Sequence, residues 1–260
     1  MQRNVLDAPK PAPIHDVVKD YYGKVLSSSK DLKTSACTAC DAPPAVVRET
    51  FKLIPAPVLD KFYGCGSPIP MGIDGLTVLD LGSGSGRDCY VAAKLVGPKG
   101  RVIGIDMTEE QLEVARAHID EFAGKLGWQP NLAFHHGYIE RIADAGIAAG
   151  SIDIILSNCV VNLSPDKHAV LKGAHEALRH GGEFYFSDVY ADRRLSDEAR
   201  RHDVLVGECI GGALYIEDFR RICEQVGFVN PRVVSRAPIA VEDAALASIV
   251  GDAKFYSITY

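Results

Sequence analysis

The sequence lacks the features that are typical of nucleic-acid-binding and membrane proteins. Its net charge is −6, and acidic and basic residues are interspersed without the basic stripe of a nucleic-acid binder. No apolar run approaches the roughly 20 residues that cross a bilayer. The stretch from Met1 to Pro13 is polar and proline-rich, without the apolar core of a signal peptide. We therefore expect a cytoplasmic monomer that binds neither nucleic acid nor membrane.

The cysteine content argues against a secreted disulfide framework. Seven cysteines is an odd number in a chain of 260 residues, whereas such frameworks pair an even number in shorter chains. In a reducing compartment, free thiols serve as core residues, metal ligands or redox groups. Cys223 shares an apolar helix face with Phe219 and Val226, so we interpret it as a core residue. We interpret Cys89, in another helix, in the same way.

Internal repeats and low-complexity stretches are also lacking, and the main pattern is an alternation of strands and helices that begins near residue 73. The predicted strands are Thr77–Leu81, Arg101–Asp106, Leu132–Gly137, Ile152–Ser157, Glu183–Asp188, Val229–Ser235 and Phe255–Tyr260. Helical stretches separate most of them. This alternation indicates an α/β fold with a mostly parallel sheet and helices on both faces. We expect residues 1–72 to form a helical N-terminal segment, with a helix from Val17 to Leu26 and a cysteine-bearing loop.

The first predicted strand ends in a glycine-rich turn that a helix follows at once. Glycines there let the backbone approach a ligand closely. A dinucleotide site requires G-x-G-x-x-G, and Arg87 occupies the position of its third glycine. The spacing G-x-G-x-G after an acidic residue instead resembles the first motif of Rossmann-like methyltransferases, whose cofactor is S-adenosylmethionine, and a carboxylate suits the cationic sulfonium and amino groups of that cofactor. The candidate residues are Asp80, Gly82, Ser83, Gly84 and Gly86.

Later strand ends supply further candidates for the same cofactor. Asp106 lies 20 residues after Gly86, where a carboxylate accepts hydrogen bonds from both ribose hydroxyls. Ile139 and Glu140 follow the third strand, where such folds hold the adenine ring. Tyr63, Met107 and Asn158 complete the candidate set. A ligand-free βα connection is the alternative for the turn, and the register of Asp80, Asp106 and the strands argues against it.

Three cysteines differ from the core pair because they lie in loops or at strand ends. Cys159 follows the fourth strand, and Cys209 follows the fifth, so both belong to the carboxyl edge of the sheet, where ligands bind in open α/β folds. Cys65 lies in the N-terminal segment, which in such folds covers the same edge. We expect the insertion near residues 190–214, which carries Cys209, to form part of a substrate lid.

Strings that surround these cysteines resemble arsenite methyltransferases from about residue 20 to the end of the chain. The matching strings are Tyr21–Gly23, Tyr63–Gly66, Asp80–Tyr90, Gly104–Thr108, His136–Glu140, Ser157–Val160 and Gly207–Tyr215. The resemblance implies a Rossmann-like class I methyltransferase with a seven-stranded sheet whose last strand is antiparallel, spanning residues 73–260. The cysteine-bearing strings are far more specific than the glycine turn, which whole superfamilies share.

The same resemblance implies the roles of four cysteines. Cys65, Cys159 and Cys209 match the family cysteines that hold trivalent arsenic, and Cys37 matches one that partners Cys65 in redox steps. Arsenic(III) is soft, and thiolates select soft centres. Its lone pair attacks the sulfonium methyl without a general base, so the protein contributes positioning and water exclusion. A thiol reductant such as thioredoxin or glutathione then reopens the disulfide that restores trivalent arsenic.

The chain departs from the family pattern at two points. Cys40 forms a Cys-x-x-Cys with Cys37, so it is either an alternative redox partner or a zinc ligand with Cys37 and Cys65, although no fourth zinc ligand is evident. Family members commonly continue into a small C-terminal domain, and the chain stops at Tyr260, so we expect that domain to be absent.

Two other functions remain open at this stage. One is a methyltransferase of a small organic acceptor, such as a quinone or a phenol, which needs a general base and tolerates loss of Cys159 or Cys209. The other is a thiol sensor that binds arsenic without consuming cofactor.

Overall fold

The computed structural model describes residues 15, 16, 18, 43–62, 64, 66–207 and 209–260. The helix predicted from Val17 to Leu26 therefore lies outside the described residues except at Val18, which is helical and buried. Four further residues of the predictions also lie outside them, and what was predicted for these stays a prediction. They are Cys37, Cys40, Tyr63 and Cys65.

Within the described residues, eight strands form one sheet. In chain order they are β1 (Thr77–Leu81), β2 (Arg101–Asp106), β3 (Leu132–His136), β4 (Ile152–Asn158), β5 (Leu178–Ala191), β6 (Leu214–Tyr215), β7 (Ser235–Ile239) and β8 (Phe255–Thr259). Their order across the sheet is β3-β2-β1-β4-β5-β8-β7, and β6 pairs with the end of β5. Strand β8 runs antiparallel to both of its neighbours, and the other pairs are parallel.

This sheet confirms the predicted fold class and the antiparallel last strand, but the prediction of seven strands was one too few. The additional strand is β6, which has two residues and lies at the end of the region predicted to be an insertion. Nothing in its sequence distinguishes it from a loop, because it forms only where Leu214 and Tyr215 meet the carboxyl end of β5.

The helices cover both faces of the sheet. They are α1 (Ala45–Phe51), α2 (Ala56–Asp60), α3 (Arg87–Val96), α4 (Glu109–Ala117), α5 (Ile119–Leu126), α6 (Lys167–Ala177), α7 (Asp197–Arg201), α8 (Asp203–Gly207), α9 (Ile216–Val226) and α10 (Ala244–Val250). Val78 of β1 packs in one core with α3, α4 and α5, and the next residue, Leu79, packs in a second core with α6 and α9. Among the described helices, none has both the length and the apolar character that a membrane span requires.

The glycine turn after β1 is held against the end of β2. The backbone N–H groups of Gly82 and Ser83 both donate to the carbonyl of Ile105, at 2.8 and 3.0 Å. Gly86 has a φ of 92°, a left-handed conformation that favours glycine, and a Cβ there would lie 2.7 Å from Cζ of Phe134. The turn therefore requires glycine both for its backbone conformation and for space.

The strand predicted at Val229–Ser235 was wrong, since β7 begins only at Ser235. Its residues pair with β8 from Ser235 opposite Thr259 to Ile239 opposite Phe255. Because β8 ends at Thr259, the residues before Ser235 have little strand beside them, and Val229 is 80% exposed. The apolar, β-branched composition of this stretch favoured a strand, but pairing with β8 decided its position.

We expect Phe219→Ala to lower the free energy of unfolding by about 3–5 kcal/mol, because it empties a large buried site. The Phe219 ring is 1% exposed and lies 4.9 to 5.2 Å, between ring centroids, from Phe186, Tyr190 and Tyr260. Urea denaturation measures the change. The exposed Val229→Ala variant is the control, with an expected change within about 0.5 kcal/mol, and equal stabilities of the two variants would contradict this account of the core.

Candidate functional site

A pocket opens at the carboxyl edge of the sheet, where β1, β2 and β4 end side by side. Parallel strands bring their carboxyl ends to one edge, so residues distant in sequence meet there. The pocket is lined by these members of the predicted cofactor set: Asp80, Gly82, Ser83, Gly84, Asp106, Met107, Ile139, Glu140 and Asn158. Gly86 supports the turn from behind, against Phe134.

Asp106 ties the glycine turn to β2. Its Oδ2 accepts a hydrogen bond from the backbone N–H of Gly84 at 2.8 Å, and its Oδ1 accepts one from the N–H of Thr108, also at 2.8 Å. Burial raises the pKa of Asp106, and these two backbone hydrogen bonds oppose the rise. No atom lies within 4 Å of the place where a Cβ of Gly84 would be, and Oγ of Ser83 is buried without a partner. The turn therefore offers open space and a polar atom to a ligand.

Asp80 is a buried carboxyl group with few nearby groups that favour its negative charge. It is 2% exposed, and burial, followed by the repulsion of the Asp88 carboxylate, raises its pKa to about 8. The thiol of Cys89 donates a hydrogen bond to Oδ2 of Asp80 over 3.2 Å, which favours the charged form. Cys89 was interpreted as a core residue, and it is buried as that interpretation requires, but its sulfur also orients Asp80. A cation in the pocket would stabilise the ionised Asp80.

The orientation of the Asn158 amide is fixed by two acceptors. Its Nδ2 donates to the carbonyl oxygen of Gly66 and to Oδ2 of Asp88, each at 2.8 Å. Neither partner is a donor, so the amide cannot be flipped. Oδ1 is consequently buried without a partner in a side chain that lines the pocket. Asn158 therefore presents an unused acceptor to a ligand that carries N–H or O–H groups.

Glu140 lies at another part of the pocket and connects it to the N-terminal segment. Its Oε1 accepts hydrogen bonds from Nε2 of His15, at 3.0 Å, and from Oγ of Ser164. Both partners also line the pocket. Glu140 was predicted from the sequence, but His15 and Ser164 were not. An isolated histidine and an isolated serine do not indicate in the sequence that the fold brings them together.

Cys159 and Cys209 meet beside this pocket. Their sulfurs and a carboxylate oxygen of Asp188 all lie within 4.8 Å of one another, and all three residues are buried. The Cys209 thiol donates a hydrogen bond to the carbonyl of Cys159 over 3.2 Å. Cys159 is disulfide-bonded, so it has to be reduced before it binds a soft ion. Cys159 lines the pocket itself.

Both cysteines have an unusual backbone conformation. The φ angles are 58° at Cys159 and 64° at Cys209, and among the described non-glycine residues only Asn230 joins them in the left-handed region. This conformation costs about 1 kcal/mol or more per residue and persists where the surroundings impose it. Strain of this kind concentrates at functional sites. The backbone conformation and the short distance between the two sulfurs therefore both indicate that Cys159 and Cys209 are functional residues.

Asp188 and Lys167 are charged groups that sequence reasoning missed at this cluster. Burial raises the pKa of Asp188 to about 7, opposed by hydrogen bonds from the backbone of Val189 and Asn162. Burial lowers the pKa of Lys167 to about 8, opposed by Asp188. Asp188 had a usable signal, an acidic residue at the end of a strand predicted to be buried. Lys167 had none, because a lysine at the start of a helix is ordinarily solvated.

The fold and the pocket together define a class I methyltransferase, with a ligand pocket after β1, β2 and β4 and an antiparallel last strand. A family model described as a methyltransferase domain matches residues 73–227. The chain belongs to the arsenite methyltransferase family. It is 55% identical to the arsenite methyltransferase of Aquipseudomonas alcaligenes, over 95% of this chain and 71% of that protein.

Two further comparisons agree with that family. The human arsenite methyltransferase is 47% identical over 96% of this chain and 67% of its own length. The crystal structure of an arsenic(III) S-adenosylmethionine methyltransferase from Chlamydomonas reinhardtii superposes with a TM-score of 0.81 and 55% identity, covering 84% of this chain and 73% of that one. The chain thus spans 67–73% of the length of these three relatives.

We expect Asp80→Asn to change how stability depends on pH. The folded protein holds the Asp80 proton up to pH of about 8, whereas an unfolded aspartate loses it near pH 4, at about 3.9. Between these values the folded state binds more protons, so the contribution of Asp80 to stability falls as pH rises from about 4 to about 8. The asparagine variant lacks this dependence, and urea denaturation should therefore show it gaining stability relative to the parent between pH 5 and pH 8.

A partly exposed aspartate provides the control. Arg193 lowers the pKa of Asp192, so the Asp192→Asn variant should keep a constant stability difference from the parent over that range. A pH-independent difference for Asp80→Asn would contradict the burial of an uncompensated carboxylate.

Proposed function

We propose that the protein transfers methyl groups from S-adenosylmethionine to trivalent arsenic held by cysteine thiolates. The observation that carries the proposal is the juxtaposition of Cys159 and Cys209, buried within 4.8 Å of each other beside the pocket that Cys159 lines. Family membership supports the same reaction. Cys65 is proposed as the third thiolate and Cys37 as its redox partner, on the family pattern alone.

The pocket fits the proposed cofactor in charge and in hydrogen bonding. When bound, S-adenosylmethionine supplies an electrophilic methyl group on a cationic sulfonium. Asp80 offers a buried carboxyl group whose pKa burial raises to about 8, so a bound cation would favour its ionised form, and Oδ1 of Asn158 is an unused acceptor. We assign Asp106 to the ribose hydroxyls and Ile139 with Glu140 to the adenine ring. All five residues line one pocket.

The arsenic step follows from the chemistry of thiols. Each thiol gives its proton to a hydroxyl of arsenous acid, which leaves as water while an arsenic–sulfur bond forms. The remaining lone pair on arsenic attacks the methyl carbon, and the electrons of the broken carbon–sulfur bond stay on the cofactor's sulfur. Arsenic is then formally pentavalent, and two thiols that form a disulfide return it to the trivalent state. A cellular thiol reductant, such as thioredoxin or glutathione, reopens that disulfide.

A reducing compartment is consistent with two of the cysteines in the described part of the chain. Cys89 and Cys223 are free thiols, and such thiols persist in the cytoplasm. We therefore propose a cytoplasmic location. A thiol sensor would use the same cysteines, but it would not need a pocket with buried acceptors for a methyl donor, so the pocket favours an enzyme.

Loss of either thiol should abolish methylation. We expect Cys159→Ser and Cys209→Ser each to lower kcat/KM for arsenite by about 100-fold or more, because a hard hydroxyl replaces a soft ligand. The assay contains arsenite, a thiol reductant and S-adenosylmethionine, and it measures methylated arsenic. The matched control is Cys223→Ala, a buried core cysteine that should keep its activity. Full activity of either serine variant would overturn the arsenic assignment.

Loss of the Asp106 charge should weaken cofactor binding. We expect Asp106→Asn to raise the dissociation constant of S-adenosylmethionine about tenfold, because a neutral amide replaces a charge-assisted acceptor. Isothermal titration calorimetry on the reduced protein measures it. Asp120→Asn, on the exposed surface of α5, is the control. Equal affinities in the two variants would remove Asp106 from the cofactor site.

A further inference from the structure

We propose that Asn162, Lys167 and Gly212 are positioning residues that set the separation of the Cys159 and Cys209 sulfurs. The inference rests on the proposed arsenic-binding role of those two thiols, and it goes beyond that role by naming what holds them together. None of the three residues needs to touch arsenic or the cofactor for this purpose.

The two cysteines require such a device because neither lies in a regular element. Cys159 follows β4, and Cys209 follows α8, after which a loop leads to β6. One direct link between them is the hydrogen bond from the Cys209 thiol to the Cys159 carbonyl. That bond depends on the thiol proton, which is lost when the sulfur binds arsenic. A contact between backbone atoms of the two loops does not depend on that proton, so it can keep the loops in register while the site is loaded.

Asn162 provides a rigid point on the Cys159 loop. It lies in the short 3-10 helix Val161–Leu163, and its backbone N–H donates to Oδ2 of Asp188 at 3.0 Å. Its side-chain Nδ2 donates to the carbonyl of Val189, the next residue of β5. Asn162 is 4% exposed. Two bonds to adjacent residues of a central strand thus fix both its backbone and its side chain.

The carbonyl of Asn162 is held from a different direction. Nζ of Lys167 donates to it at 3.1 Å and to the carbonyl of Ser164 at 2.9 Å. These carbonyls belong to the end of the 3-10 helix, where backbone acceptors lack helical partners. Burying an ammonium group is costly, so its placement on two loop carbonyls indicates that it serves the loop. The first residue of α6 therefore completes the anchor.

Gly212 brings the Cys209 loop onto that anchored carbonyl. A Cβ on Gly212 would lie 2.0 Å from the carbonyl oxygen of Asn162 and 2.8 Å from its carbonyl carbon, distances that real Cβ contacts exclude. On the other side of the loop, a Cβ on Gly211 would lie 2.9 Å from the carbonyl of Ala199. Only glycine lets the segment pass between these backbones. The contact connects β5, through Asn162, to a residue three positions after Cys209.

The Gly212→Ala variant tests the proposal directly. The added methyl group meets the carbonyl of Asn162, a residue that Asp188, Val189 and Lys167 hold by hydrogen bonds, so the Cys209 loop has to move. On reduced protein, we expect the affinity for phenylarsine oxide, a trivalent arsenical that binds two thiols, to fall at least tenfold. The affinity for S-adenosylmethionine should stay within twofold of the parent, which a general loss of structure would not allow. Gly124→Ala is the matched control, because no atom lies within 4 Å of its added Cβ.

Lys167→Met keeps the proposal testable if Gly212→Ala does not fold. This change retains an unbranched apolar side chain and removes the ammonium group from the Asn162 carbonyl. It should weaken phenylarsine oxide binding about fivefold or more, raise the KM for arsenite and leave cofactor affinity unchanged. The positioning role would be overturned if Gly212→Ala and Lys167→Met, or whichever of them folds, bound phenylarsine oxide with the affinity of the parent. Absence of arsenical binding in the reduced parent itself would instead overturn the proposed function.

Discussion

Parallel pairing of β1, β2, β4 and β5 is the constraint on which the rest of the structure depends. Because these strands run in one direction, their carboxyl ends meet at one edge, and several groups of the site lie at these ends. The glycine turn follows β1, Asp106 ends β2, Cys159 follows β4 and Asp188 lies near the end of β5. The nearly continuous burial of β1, β2 and β4 supports this arrangement, since strands of a parallel sheet contact helices on both faces.

That edge concentrates groups whose burial is unfavourable without a ligand. Burial raises the pKa values of Asp80, Asp106 and Asp188, and two cysteines adopt left-handed backbone conformations. Such costs persist only where the surrounding fold compensates them. Asp80 and Asp106 line the pocket that we propose for the cofactor, whereas Asp188 lies beside the sulfurs of Cys159 and Cys209. The two halves of the proposed reaction therefore share one edge of the sheet, and Cys159 belongs to both because it lines the pocket.

Several parts of this molecule could be predicted from local sequence. The strands β1 and β2 begin and end where their apolar runs do, and the glycine spacing located the pocket because such a turn has few other uses. The prediction failed at Val229–Ser235, where composition favoured a strand and the end of β8 excluded it. It was also incomplete at β6, which has two residues and depends on contact with β5.

The sequence by itself determined the fold class, the glycine turn and which cysteines are candidates for the site, because each of these depends on residue types and their spacing along the chain. Only the tertiary structure decided that Cys159 and Cys209 meet, that Asp188 and Lys167 join them, and that Cys89 bonds to Asp80. These contacts join residues separated by up to 50 positions across loops of no regular structure. No local periodicity encodes them, since they arise where strands, turns and a buried carbonyl converge at the edge of the sheet.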